Sequence, residues 1–358
     1  MLAASSTGEP PAKRLRSEEP TGGEVEISEK KNVVRSPLFW FQDGNIDIVA
    51  ENAVVFRVHR GVLARHSTIF REMFEVPQPL GDEPPGVCPT VHVSDPPDDF
   101  ASLLQVLYDG IQVFQLKKAV AFSTLAACLE LSHKYDIEHI CTEALDRMRT
   151  CLCHDFDTMN SSAQFNEVGH WKTVLLSSSS LQLTVATDAI RAVNLIRLVD
   201  EPTMQPVAFY LCSLLPIPII LSGTMLPNGR TAMLSPDDLV RCIEGRTNLV
   251  LRACKQSERL FIPIPSDQCS TRRQCIAFLQ SKSSGHQKER DYRMDVHCVT
   301  FYGMGRAIPR SSDFSALCEV CFRGFLSRHV EEMRYIWENL PGDLGLKVSE
   351  WDAAPSQS

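Results

Sequence analysis

The chain has 358 residues, 44% of them hydrophobic and 22% charged, with a formal net charge of −8. That length exceeds what one hydrophobic core usually serves, so two domains are expected. The acidic balance argues against a dominant nucleic-acid or anionic-membrane surface, though not against a local basic patch. No signal peptide is visible, and the most apolar stretch, Leu211 to Leu221, is broken by Pro216 and Pro218 and falls short of the roughly 20 residues a membrane span needs. The thirteen cysteines therefore point to reduced thiols in the nucleus or cytoplasm, some of them available to a metal.

Residues 1–35 are rich in Ser, Thr, Gly, Pro, Glu and Lys and are expected to be a disordered tail. Within them, Lys13, Arg14 and Arg16 form a short basic run that reads as a nuclear-import signal or as a solvated charge cluster.

From Leu38 onward the pattern becomes regular. Ile46, Ile48 and Ala50 alternate with Asp47 and Val49, and Val54, Phe56 and Val58 alternate on a return strand. Glu51-Asn52 fits a two-residue turn, with Asn taking the positive φ. After His59 the period changes, and Val62, Leu63, Phe70, Met73 and Phe74 share a stripe on one buried helix, with Ile69 at its edge. Residues 76–89 are rich in Pro and Gly and read as an exposed loop; residues 90–93 read as a short strand. Asp95 before Pro96-Pro97 is the expected N-cap of a helix whose buried face is Phe100, Leu103, Leu104, Leu107 and Tyr108. Residues 125–135 and 137–152 read as a helical pair split at Asp136.

The run Asp43, Asp47, Phe56, His59, Arg60, Val62, Leu63, Ala64, Ser67 and Phe70 resembles the core of the BTB/POZ domain, where an acidic residue precedes a strand and Phe-x-x-His-Arg leads into Val-Leu-Ala-x-x-Ser-x-x-Phe. Leu-Glu-Leu-Ser-His-Lys-Tyr-Asp-Ile at 129–137 is similar to the family's closing helices. The resemblance implies an α+β fold over residues 36–150, a small sheet with flanking helices, and a protein-interaction role rather than catalysis. Phe-Trp-x-x-Asp-Gly-Asn-Ile at 39–46 and Ile-Trp-x-x-Leu-Pro-x-x-x-Gly-Leu at 336–346 are similar to BTB proteins abundant in mushroom-forming fungi. BTB domains self-associate, bridge to cullin-type ubiquitin ligases or recruit transcriptional partners. Residues 23–35 lack an apolar stripe, so a short-form domain without the swapped-helix dimer is expected, and other self-association contacts stay open. By this resemblance a cullin scaffold would dock on the helix at 62–74, the loop to Pro89 and the helices at 99–135.

Residues 151–183 read as a linker, and residues 184–345 as a mostly α-helical C-terminal domain, similar in arrangement to BACK-type extensions; residues 346–358 read as a tail. Its helical faces are Ala189, Ile190, Val193, Ile196 and Leu198, then 207–215 ended by Pro216. A third helix is capped at Ser235 and carries Leu239, Val240, Ile243, Leu249 and Leu251. Residues 271–282 and 313–340 add two more.

Four cysteines carry the one metal-ligand pattern of interest. Cys318 and Cys321 have the two-residue gap that lets two thiolates reach one tetrahedral zinc, and Cys269 and Cys275 offer a looser second pair. The competing reading is small core residues. Cys151, Cys153 and His154 sit at a helix end, where they read more simply as structural, and Cys88 with His92 has less support still. His59 is read as a structural hydrogen-bonding group. Arg272, Arg273, Lys282, Lys288, Arg290 and Arg293 read as a solvated basic loop rather than a nucleic-acid surface, since aromatic residues hardly interleave them. Gly303-Met304-Gly305 lacks the third glycine of a dinucleotide site, and no hydrolase or phosphate-binding motif is present, so no enzyme is expected.

Overall fold

The computed structural model describes residues 33–51, 53–76, 88–110, 119–157, 164–166, 175–177, 180–293, 314–349 and 351. All of them fall in one compact unit, Val33–Ser358. The fold is α+β.

The first sheet contains β1 (Val34–Trp40), β2 (Ile46–Ala50), β3 (Val54–Val58) and β4 (Thr90–Val93) in the order β1-β3-β2-β4. β2 and β3 are antiparallel, with Ile46 opposite Val58 and Ile48 opposite Phe56. This register places Ile46, Ile48, Ala50, Phe56 and Val58 together in one buried layer, as their alternation requires. β4 runs parallel to β2, and β1 runs parallel to β3. The sheet begins at Val34, two residues ahead of the expected domain start. At the hairpin Glu51 takes a positive φ (45°) and Ala53 N–H closes the turn on Ala50 O at 2.9 Å; Asn52, the other residue of the expected turn, lies outside the described residues.

The helix expected over 62–74 is two helices, α1 (Arg60–His66) and α2 (Thr68–Glu75). The chain is extended at Ser67 (φ −128°, ψ 123°), whose Oγ accepts from Phe70 N–H at 3.0 Å and donates to Tyr135 O at 2.5 Å. A residue with its own capping hydroxyl and a carbonyl to serve elsewhere leaves the helix at that point. α3 (Pro97–Asp109) starts after Pro96 without a side-chain cap. Asp95, the expected cap, is buried and accepts instead from Tyr135 Oη and from Lys134 Nζ at 2.6 Å. β5 (Val120–Ala121) then leads into α4 (Phe122–Lys134) and α5 (Glu138–Cys151), and the break between those helices is Asp136 at φ 53°.

α4 is the hinge of the architecture. Cys128 and Leu131 face a core formed with the first sheet, α1, α2 and α3. Phe122, Leu125, Ala126 and Leu129 face a second, larger core shared with the rest of the chain. Buried on both sides, α4 reads as a nearly continuous apolar run.

The segment expected to be a linker contributes to that second core. Cys151, Leu152, Cys153, Phe156, Leu181 and Leu183 are buried in it. β6 (Gln164–Asn166), β7 (Leu175–Ser177) and β8 (Leu181–Thr184) join a second sheet in the order β5-β8-β7-β6, and β8 pairs in parallel with β5. The helical region follows as α6 (Val185–Leu198), a short 3-10 turn, α7 (Gln205–Ser213) and α8 (Ile217–Ser222). A hairpin of β9 (Thr224–Met225) and β10 (Thr231–Ala232) leads to α9 (Pro236–Leu260), α10 (Arg272–Arg293) and α11 (Glu319–Asp343). Ser235 Oγ accepts from Asp238 N–H at 3.2 Å and caps α9. Leu198, Val240 and Leu251, assigned to buried faces by periodicity, are exposed at 45%, 55% and 56%. The helix expected over 271–282 is α10 and runs on to Arg293, so the basic residues read as a loop lie along it. Among the described residues no helix is long and apolar enough to cross a membrane.

The expected tail is packed as far as Trp351. α11 is C-capped by Leu344, Gly345 takes φ 62°, and Leu346 N–H bonds back to Pro341 O at 2.8 Å. Trp351 lies 4.7 Å from Trp337, ring to ring, and its Nε1–H donates to Trp337 O at 2.8 Å. The Ile-Trp-x-x-Leu-Pro-x-x-x-Gly-Leu ending is thus a helix end with a left-handed stop, its Ile336, Trp337 and Leu340 fully buried.

Candidate interaction surfaces and a four-cysteine cluster

The polar groups of the first domain hold its parts together. Asp47 on β2 accepts both Nε–H and Nη2–H of Arg57 on β3, each at 2.8 Å, directly across the ladder. Arg57 and Arg35 in turn place their guanidinium groups 4.4 and 4.5 Å from the Trp40 ring. His59 N–H donates to Tyr108 Oη at 2.8 Å, its Nδ1 lies 3.0 Å from the same oxygen, and its Nε2 lies 3.3 Å from Asp43 Oδ1. Phe41 stacks on Tyr108 with ring centroids 4.8 Å apart. Arg60 N–H donates to Asn45 Oδ1 at 2.7 Å, and the Arg60 guanidinium reaches Phe74 O. Leu63 and Phe70 are fully buried, while Val62 is only half-buried. Phe56 and Phe70 both pack against Phe100. The sequence places Tyr108 on the buried face of α3 but carries no sign that it partners His59, because nothing local links residues 49 positions apart.

The two halves are joined by charge as well as by α4. Arg191 on α6 is buried, with its side chain 3% exposed, and forks onto Glu130 of α4 at 3.1 and 2.9 Å. It also lies 3.7 Å from Asp99 of α3. Asn228, in the β9–β10 turn, donates to Asp99 Oδ2 at 2.8 Å. Arg230 in the same turn reaches Glu51 and donates to Ser94 O at 3.0 Å. Burial pushes the Asp99 carboxyl above its ordinary range despite the Asn228 bond and the Arg191 charge.

This packing decides which faces remain available. Most of α4 is covered, and Asp99 is buried, so these parts of the surface expected for a cullin lie inside the molecule. The outer side of α2 is open: Ile69, Arg71, Glu72 and Glu75 are exposed, and Val76 follows at 61%. Residues 77–87 of the expected docking loop lie outside the described residues, as do Lys13, Arg14 and Arg16.

The four cysteines Cys269, Cys275, Cys318 and Cys321 come together. Their sulfurs all lie within 4.8 Å of one another, and Cys269 Sγ and Cys318 Sγ are 3.7 Å apart. Cys269 precedes α10 and Cys275 occupies its first turn; Cys318 is the N-cap of α11 and Cys321 lies in the first turn of that helix. Backbone N–H groups point at the sulfurs, Cys318 N–H at Cys275 Sγ (3.3 Å) and Cys321 N–H at Cys318 Sγ (3.5 Å). Thr271 Oγ1 lies 3.3 Å from Cys275 Sγ. The Cys321 N–H bond holds the Cys318 thiol down at about 6, whereas burial pushes Cys321 up to about 12. Cys151 and Cys153 point elsewhere, toward Leu181 O and Asp155 O, and His154 offers its carbonyl to Trp337 Nε1–H. Cys88 Sγ faces Gly44 O at 3.6 Å. Among the described residues, the Cys269 to Cys321 group is the only cluster with a metal-binding arrangement.

A family model described as BTB/POZ domain matches residues 42–150. This part of the chain is a BTB/POZ domain, and its activity is association with other proteins. No curated protein matches the chain.

Proposed function

We propose that the protein is a non-enzymatic substrate adaptor of a cullin-type ubiquitin ligase. In this reading the BTB/POZ domain engages the scaffold and the helical body reads the substrate. The observation that supports it is the fusion of the two parts. α4 belongs to both cores, and Arg191, Asn228 and Arg230 tie the helical body to α3, α4 and the first sheet. A substrate held by such a body keeps a fixed orientation toward a scaffold held by the domain, which is what transfer between bound partners requires.

The scaffold docks on the open side of α2, with Ile69 and Val76 as its apolar anchors. Pull-down of the full chain with a cullin N-terminal domain tests the reading: the native chain is retained and Ile69→Asp is not. Absence of retention for the native chain at micromolar concentration would remove the adaptor role. A second reading, a nuclear transcription co-regulator acting through BTB-mediated association, rests on the Lys13, Arg14 and Arg16 run.

A further inference from the structure

We propose that Cys269, Cys275, Cys318 and Cys321 bind one zinc ion as a closed, structural four-thiolate site that clamps the start of α10 to the start of α11. Tetrahedral zinc with metal–sulfur bonds of about 2.3 Å sets its four sulfurs about 3.8 Å apart. The Cys269–Cys318 separation of 3.7 Å already has that length, and no pair exceeds 4.8 Å, so the remaining sulfurs close on a metal by less than the length of one bond. A disulfide places its sulfurs about 2.05 Å apart. All four cysteines are free thiols, and the Cys269–Cys318 contact is far longer than such a bond.

The surroundings suit thiolates held by a metal. Cys318 N–H and Cys321 N–H donate to Cys275 Sγ and Cys318 Sγ, and the Thr271 hydroxyl lies against Cys275 Sγ, contacts that orient the sulfurs and spread their charge. Four clustered thiolates repel one another strongly, so the arrangement needs a divalent cation to be fully deprotonated. Among the described residues, Leu260, Phe261, Leu279, Leu317, Phe322 and Phe325 are the buried non-cysteine members of the apolar cluster around the cysteines, and none belongs to the larger cores. A metal crosslink at this point ties the starts of α10 and α11 together. With four protein ligands no position is left for water or substrate, so the ion is structural rather than catalytic.

The test uses the full chain purified without chelators. Elemental analysis is expected to return about one zinc per chain, and a mercurial thiol reagent to release it. Cys318→Ser and Cys321→Ser are expected to fall to background, while Cys88→Ser and Cys141→Ser, outside the cluster, keep the native stoichiometry. If the cluster variants do not fold, the native chain still decides: after chelation and refilling with cobalt(II), it should show the visible bands and thiolate charge-transfer absorption of a tetrahedral four-sulfur site. Metal-free native protein that takes up no cobalt in that geometry, or an oxidised pair among the four cysteines in protein kept under thiol reductant, would overturn the proposal.

Discussion

Arg191→Met removes the cation at the junction of the two cores while keeping an unbranched side chain of similar reach. The Arg191 side chain is 3% exposed and its two carboxylate neighbours differ: Asp99 is 13% exposed and Glu130 37%. Breaking a buried ion pair by removing one partner typically costs about 3–5 kcal/mol, because the other charge stays behind in a low-dielectric site. Glu130 is open enough to be resolvated, so its share is small and the expected loss is near the low end, about 3 kcal/mol. At roughly 2 °C or more per kcal/mol this lowers the melting temperature by about 6 °C or more. The pH dependence gives the reasoning its sign. Asp99 already has a raised pKa in the native chain, and loss of the neighbouring cation raises it further. A protonated Asp99 needs no cation, so the difference between Arg191→Met and the native chain is largest near neutral pH. It shrinks as the pH falls through the raised Asp99 value. Urea unfolding of both proteins at a neutral and a mildly acidic pH measures this. A loss below about 1 kcal/mol at neutral pH, or one that does not diminish on acidification, would refute the argument.

Ser67→Ala deletes both the cap of α2 and the donor to Tyr135 O. It should cost about 1–2 kcal/mol in chemical unfolding, whereas the same substitution at the exposed Ser94 should cost almost nothing. Trp337→Ala empties a fully buried site beneath Trp351 and should cost about 3–5 kcal/mol, read from the unfolding midpoint. If the basic run near the start of the chain is an import signal, neutralising Lys13, Arg14 and Arg16 moves a tagged protein out of the nucleus; an unchanged nuclear signal would exclude that role.

Local signals were legible and distant ones were not. The β2–β3 register follows from alternation of Ile46, Ile48, Phe56 and Val58, and the stop between α4 and α5 follows from Asp136, a residue that tolerates the left-handed backbone. Ser235 caps α9 because its hydroxyl precedes a proline and two acidic residues. Asp95 carried an equally good local signal and does something else, since Tyr135 and Lys134, forty residues on, outbid the start of α3. Ser67 breaks a helix that the apolar stripe alone would carry through, because its partner is the carbonyl of Tyr135. Residues 151–183 look polar and broken, yet β8 has its parallel partner in β5, some sixty residues earlier. The cysteine spacings identified four candidate ligands, but only the packing of α10 against the start of α11 determines that their sulfurs meet.

The adaptor reading stands or falls on one binding measurement. Calorimetric titration of the full chain with a cullin N-terminal domain should give saturable one-to-one binding at micromolar affinity or tighter, weakened at least tenfold, about 1.4 kcal/mol, by Ile69→Asp. No heat of binding with a folded chain at micromolar concentrations, or binding that Ile69→Asp leaves unchanged, would contradict it.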